Sequence, residues 1–281
     1  MSAERLAELQ AAAERARGDA LIRLGDARAS SILRGSSELV TAYRALAITG
    51  FFRDADIDGF HQRMHLAACA RRRFFACLDR GLRCAAGHPL RAIAPALEEA
   101  LAGGEPRVLA DLASIARSST EREAPEARLL AGLASVVLGE MDDAAAALVR
   151  FDAVRGPEQE GHARMLGGLI RSDEAAFDEG LGAALDARRA APPDVDAPLS
   201  VWLAVDLLGY VRLAQRQGLT NMRADPAIPD ELQGAPTAPY PDPGAVFPAL
   251  PAEIVDDLPR APGATAPRGL GGEAPIGRAP S

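Results

Sequence analysis

The chain of 281 residues contains no lysine; all of its side-chain cations apart from histidine are arginine. That absence removes Schiff-base chemistry and the lysine of a phosphate-binding P-loop together. Aromatic residues make up only 4% of the chain, with a single tryptophan, so little of the content that favours β-sheet is present. Three cysteines form an odd count without framework spacing; they exclude a disulfide-stapled secreted domain and point to a reduced, cytoplasmic setting. No apolar run reaches the ~18 uncharged residues of a membrane span. The opening MSAERLAELQ has no signal-peptide centre. Catalytic signatures are missing too: no G-x-S-x-G, HExxH, Gly-rich phosphate loop or kinase motif occurs. The plentiful carboxylates stand at helix starts, where capping accounts for them. The reading is therefore of a protein that is not an enzyme and needs no cofactor.

What is present is helical. The 48% hydrophobic content is dominated by alanine and leucine, which suit close helix packing, and the fold class expected is all-α. A body of this length hides roughly 70% of its unfolded surface, enough for a sizeable core. The formal net charge of −8 excludes a nucleic-acid binder, which needs a basic face, and suits a partner that is itself basic.

The stretch from Ser172 to Leu232 organises the rest. Ser172 is the expected N-cap of a helix with Asp173 and Glu174 in its first turn and Arg188 and Arg189 in its last. Phe177, Leu181 and Leu185 form its narrow apolar stripe. A second helix is predicted from Pro198, apolar almost all round, ending where Gly218 takes a left-handed position before Leu219. Its departures from apolarity, Asp206, Gly209 and Arg216, share one side with Trp202 and Leu213, marking either a lightly solvated edge or a docking place.

Upstream, two helices are expected within residues 3–33, separated at Gly18, followed by a helix capped by Ser36 or Ser37. Asp54, Asp56, Asp58 and Gly59 reproduce the opening of a calcium loop, D-x-D-x-D-G, but His65 stands where the bidentate glutamate belongs. The preferred reading is Asp58 as an N-cap. His61, His65 and Cys69 share one helix face, and Cys84 and His88 lie four apart; without CxxC or HExxH, packing roles are preferred over a zinc site. Arg71, Arg72 and Arg73 read as a solvated basic face. Gly81 is expected to end this helix, Pro89 and Pro106 to open the next two, with Gly103 and Gly104 between them.

Two hairpins then look alike. VVLGEMDDAAAAL and GLIRSDEAAFDEGL each set an acid-capped turn between an apolar helix end and an Ala-rich start, 31 to 32 residues apart. That offset is close to the ~34 residues of tetratricopeptide repeats. An irregular array of helical hairpins, α-solenoid-like, is expected over 1–232 as a single domain. From Gln233 to Ser281 proline and glycine are dense, and a mostly disordered tail is expected. There Phe247, Leu250, Ile254, Val255 and Leu258 offer at most a short docking motif.

The carboxy-terminal part carries a resemblance. Asp173-Glu174-Ala175-Ala176-Phe177, then Leu181 and Leu185, then Leu213-Ala214-x-x-x-Gly218-Leu219 and Ile228-Pro229-x-x-Leu232 resemble the immunity protein 49 family over roughly residues 125–232. Ile228 stands where the family has tyrosine. The resemblance implies an all-α protein that protects bacteria from a cognate polymorphic toxin by stoichiometric binding, without chemistry of its own. Trp202, Asp206, Arg216, Asp173 and Glu174 are the contact residues expected under that reading. The alternative is a helical-repeat scaffold or adaptor unrelated to toxins. Oligomeric state and the identity of the toxin are left open by the sequence.

Overall fold

Alanine and leucine at helical spacing give what their propensities favour. A computed structural model of the chain describes residues 2–79, 90–118, 125–153, 156, 159–191, 199 and 202–255. The described residues form an all-α fold: α1 (Ala3–Leu24), α2 (Ala29–Asp54), α3 (Ile57–Asp79), α4 (Leu90–Gly103), α5 (Pro106–Ser118), α6 (Pro125–Val137), α7 (Met141–Asp152), α8 (Glu160–Arg171), α9 (Glu174–Ala190), α10 (Val205–Arg216) and a single turn, α11 (Pro243–Val246). No described helix is long and apolar enough to cross a membrane. One contiguous core runs from Ala13 of α1 to Phe247.

Several boundaries differ from the sequence expectation. Gly18 does not break α1, because α1 packs along α2 and burial outweighs the ~1 kcal/mol that a helical glycine costs. Ser36 and Ser37 cap nothing: α2 already starts at Ala29, and Ser36 is buried. Ser172 is the left-handed end of α8, with φ of 53°, and Asp173 is the N-cap of α9, its carboxylate accepting from Ala176 N–H at 3.0 Å. Two adjacent capping residue types compete there, and the ionised one wins at the positive helix end. Gly81 and Pro89 lie outside the described residues.

The two similar hairpins, α6–α7 and α8–α9, are equivalent at 33 residues. In the first, Gly139 N–H donates to Val136 O and Glu140 N–H to Ser135 O; in the second, Ser172 N–H donates to Leu169 O and Asp173 N–H to Gly168 O. Both are Schellman closures with a left-handed residue, Gly139 at φ of 78° and Ser172 at 53°.

Consecutive helices pack on one another from α1 to α9, but α10 returns to lie on α4, which departs from the neighbour-only contacts of a pure repeat stack. Pro198, the predicted start of this helix, lies outside the described residues. Ala204 is non-helical (φ −84°, ψ 78°) and gives its N–H to Ala227 O at 2.9 Å, so the helix begins at Val205. Its end is as expected: Gly218 has φ of 89°, and Leu219 N–H bonds Ala214 O.

The expectation of a disordered tail from Gln233 is corrected for residues 233–255, which cross the body as a strap. Thr237 N–H donates to Asp58 at 2.7 Å, Gln62 donates to Pro239 O at 2.9 Å, and Tyr240 donates through its hydroxyl to Gly103 O at 2.8 Å. Phe247 is buried with its ring 6.2 Å from Tyr43, and Val255 bridges the start of α2, accepting from Ala29 N–H at 2.9 Å. Proline-rich chain gives up less entropy on ordering than its composition suggests, since its φ angles are already fixed. Leu258 lies outside the described residues.

Candidate functional site

An open cleft of about 1600 Å³ lies between α1 and α2 on one side and α9, the start of α10 and residues 225–227 on the other. α2 contributes Val40, Thr41, Arg44 and Ile48; α9 contributes Leu185 and Arg188; Trp202 and Asp206 close the far wall. Glu98 and Glu99 of α4 line the same cleft.

The polar groups are uneven in how they are satisfied. Asp206 stands in the first turn of α10, where the helix dipole favours an anion, and pairs with Arg188 at 3.3 Å. Burial pushes its carboxyl up, but the hydrogen bond from His162 and the Arg188 charge outweigh burial and hold it below the usual range. Glu99 is 0% exposed, with Arg71 at 3.4 Å from Oε2 and Arg44 at 3.8 Å from Oε1. Burial raises its pKa against those two cations. Beside it, burial first and the Asp206 charge second push Glu98 up to about 8. Trp202 is half-buried, its ring edge-on to Phe52 at 5.9 Å.

A second polar cluster lies where α4 ends. Arg212 is buried, with no carboxylate partner among its hydrogen bonds. Its guanidinium donates to Ala102 O, stands 2.6 Å from Nδ1 of His61 and meets the Tyr240 hydroxyl. Arg216 donates to Gly104 O at 2.7 Å. Two guanidiniums thus stand at the negative end of the α4 dipole, which offsets the missing carboxylate. Nδ1 of His61 also stands 3.0 Å from Ala102 O, and the guanidinium beside the ring disfavours a charged imidazole. Burial and then the Arg212 charge push its pKa down to about 4, in agreement.

The residues expected at a site therefore separate. Trp202 and Asp206 come together in the cleft, whereas Arg216 closes α4. Asp173 caps α9, and Glu174 holds the loop after α10, accepting from the backbone of Thr220 and Asn221 and from the Asn221 side chain at 2.9 Å. The polar strip of α10 is where α4 docks: a Cβ on Gly209 would stand 2.9 Å from Leu101 Cβ, and Arg216 reaches Gly104.

The metal alternatives meet engaged atoms. Asp54 pairs with Arg53; Asp56 pairs with Arg63 and accepts from Gly59 N–H, so Asp56 and not Asp58 caps α3; Asp58 holds Thr237. His65 Nε2 is 3.2 Å from Pro241 O, and burial pushes the Cys69 thiol up to about 12, far from the thiolate that a metal takes. Among the described residues no group of three or more His, Cys, Asp or Glu is placed to hold a metal ion. Cys84 and His88 lie outside the described residues. The basic run is divided: Arg71 turns in to the buried Glu99 of α4, while Arg72 makes a solvent-exposed pair with Asp111 of α5 at 2.8 Å.

Sequence reasoning missed Glu98, Glu99 and Arg212. Two adjacent acids inside the otherwise apolar PALEEALAG were the available signal for the first pair. Arg212 looked like one more arginine on an amphipathic helix.

The family model described as immunity protein 49 matches residues 97–232, the segment from Glu98 and Glu99 on α4 through α10 to Leu232. No curated protein and no solved structure matches the chain.

Proposed function

Through residues 97–232 this chain belongs to the immunity protein 49 family, and from that premise we propose that it binds and neutralises a cognate bacterial toxin as a stoichiometric protein inhibitor. The family match carries the reading. Support comes from the surface: the cleft joins an apolar wall to half-buried polar groups, the anatomy of a protein-binding patch with a desolvated centre. The acidic balance of −8 favours a basic toxin, since opposite charge speeds encounter and disfavours wrong partners. Inhibition is by coverage of the toxin's own site. Trp202 and Asp206 are the proposed contact residues; Asp173, Glu174 and Arg216 act within the inhibitor's own fold. The cytoplasm, where a toxin would meet its target, is the proposed location.

The test is co-expression of the chain with the product of each adjacent gene in a toxin-sensitive cell, scoring survival and co-purification together. Rescue with a one-to-one complex is expected. A toxic neighbour that the chain neither rescues from nor binds overturns the reading and leaves a helical scaffold in its place.

A further inference from the structure

Glu98 reaches into the cleft, and no described residue forms a hydrogen bond or ion pair with it. Behind it, Glu99 is fully buried, and its Oε1 has no hydrogen bond, Arg44 standing at 3.8 Å. A buried carboxyl oxygen short of a donor is costly and uncommon, so Glu99 Oε1, with the half-buried and unpaired Glu98 beside it on the cleft, needs an explanation. The other cations of the cleft are committed elsewhere: Arg188 to Asp206, Arg189 to Asp225 and Arg23 to Glu38. The walls beside the pair are apolar, with Val40, Ile48, Leu185 and Trp202. What fits such a place has several donors, a positive charge and an apolar stem. The arginine side chain has all three, and it is enriched at the centres of protein interfaces.

We propose that this cleft receives an arginine side chain of the partner protein, flanked by apolar residues, and that Glu98 is its acceptor, with Glu99 Oε1, which lacks a hydrogen bond, behind it. That the guest belongs to a protein rests on the immunity reading; the chemistry of the pocket does not. An arriving guanidinium replaces the proton that Glu98 otherwise keeps, so a neutral guest of the same shape gains less.

The chain carries its own reporter, because its only tryptophan, Trp202, lines the cleft. The probes are two capped peptides, acetyl-Leu-Arg-Leu-amide and its citrulline counterpart, titrated into the full-length chain while tryptophan fluorescence is followed. A saturable change with the arginine peptide is expected, at least ten-fold weaker with citrulline and at least ten-fold weaker in Glu98→Gln. Thr41→Phe, a rim substitution at an exposed position of α2, weakens the arginine peptide with no loss of thermal midpoint. Equal binding of the two peptides, unchanged binding in Glu98→Gln, or no binding overturns the proposal. In cells the two readings separate. Undiminished rescue by Glu98→Gln at unchanged toxin affinity removes the cleft proposal and leaves the immunity reading; failure of the wild-type chain to rescue removes the immunity reading, and the peptide titration still decides the cleft.

Discussion

Burial drives His61 and Glu98 away from charge in opposite directions along the pH axis. His61 is neutral in the folded chain down to about 4, whereas an unfolded imidazole takes its proton near 6.5. Between those values the unfolded chain binds more protons, and acidification costs stability. Glu98 holds its proton up to about 8 when folded, against about 4.5 unfolded. Its contribution is complete below the unfolded value and is lost as pH rises through the folded one. Asp206, Arg44, Glu99 and Arg71 face it and set that window. The thermal midpoint is therefore expected to fall between pH 6 and 8.5, and Glu98→Gln, which has no proton to lose, should flatten that limb in a calorimetric series. An equal slope in both proteins would show that Glu98 is ionised throughout. None of this was legible in the sequence, because the desolvation that moves both groups comes from helices far away in the chain.

Helix existence was legible wherever apolar residues recurred at helical spacing, and so were Pro106 as a helix opener and Gly218 as a helix end. The turn of the second hairpin was read one residue early, since Ser172 and Asp173 are both good caps and only the backbone closure chooses between them. The equivalence of the two hairpins makes opposite predictions at equivalent positions. Gly139→Ala places a Cβ in a left-handed turn and should cost about 1 kcal/mol, while Ser172→Gly relieves the same conformation and should gain up to ~1 kcal/mol. Urea unfolding of the two variants checks the sign; a gain from neither would mean that the turns are held by different contacts. Close approach within the second hairpin gives another expectation. A Cβ on Gly168 would stand 2.7 to 2.8 Å from Phe177 N, Cα and Cβ, so Gly168→Ala must push α8 from α9. About 1–3 kcal/mol of destabilisation is expected, as for other overpacked contacts.

At the scale of the molecule, two long-range closures turn a run of hairpins into one body: α10 on α4 and the strap over α3. Local periodicity contains neither. The α10 strip of Asp206, Gly209 and Arg216 was visible as a place where something docks, but nothing in the text named α4. The strap hid because its anchors, Thr237, Tyr240 and Phe247, are single residues separated by prolines. Arg212 is where both closures meet, touching His61 of α3, Ala102 of α4 and Tyr240 of the strap from its place on α10. Arg212→Met should cost about 3 kcal/mol, because it leaves buried acceptors without a donor. Tyr240→Phe removes a hydroxyl that donates to Gly103 O and should cost about 1 kcal/mol alone. If the closures are coupled through the guanidinium, the double variant will be less destabilised than the sum of the singles by at least ~0.5 kcal/mol in a denaturation cycle. Strict additivity would instead mean that strap and α10 hold the body independently, and that the guanidinium, despite its three partners, serves only the end of α4.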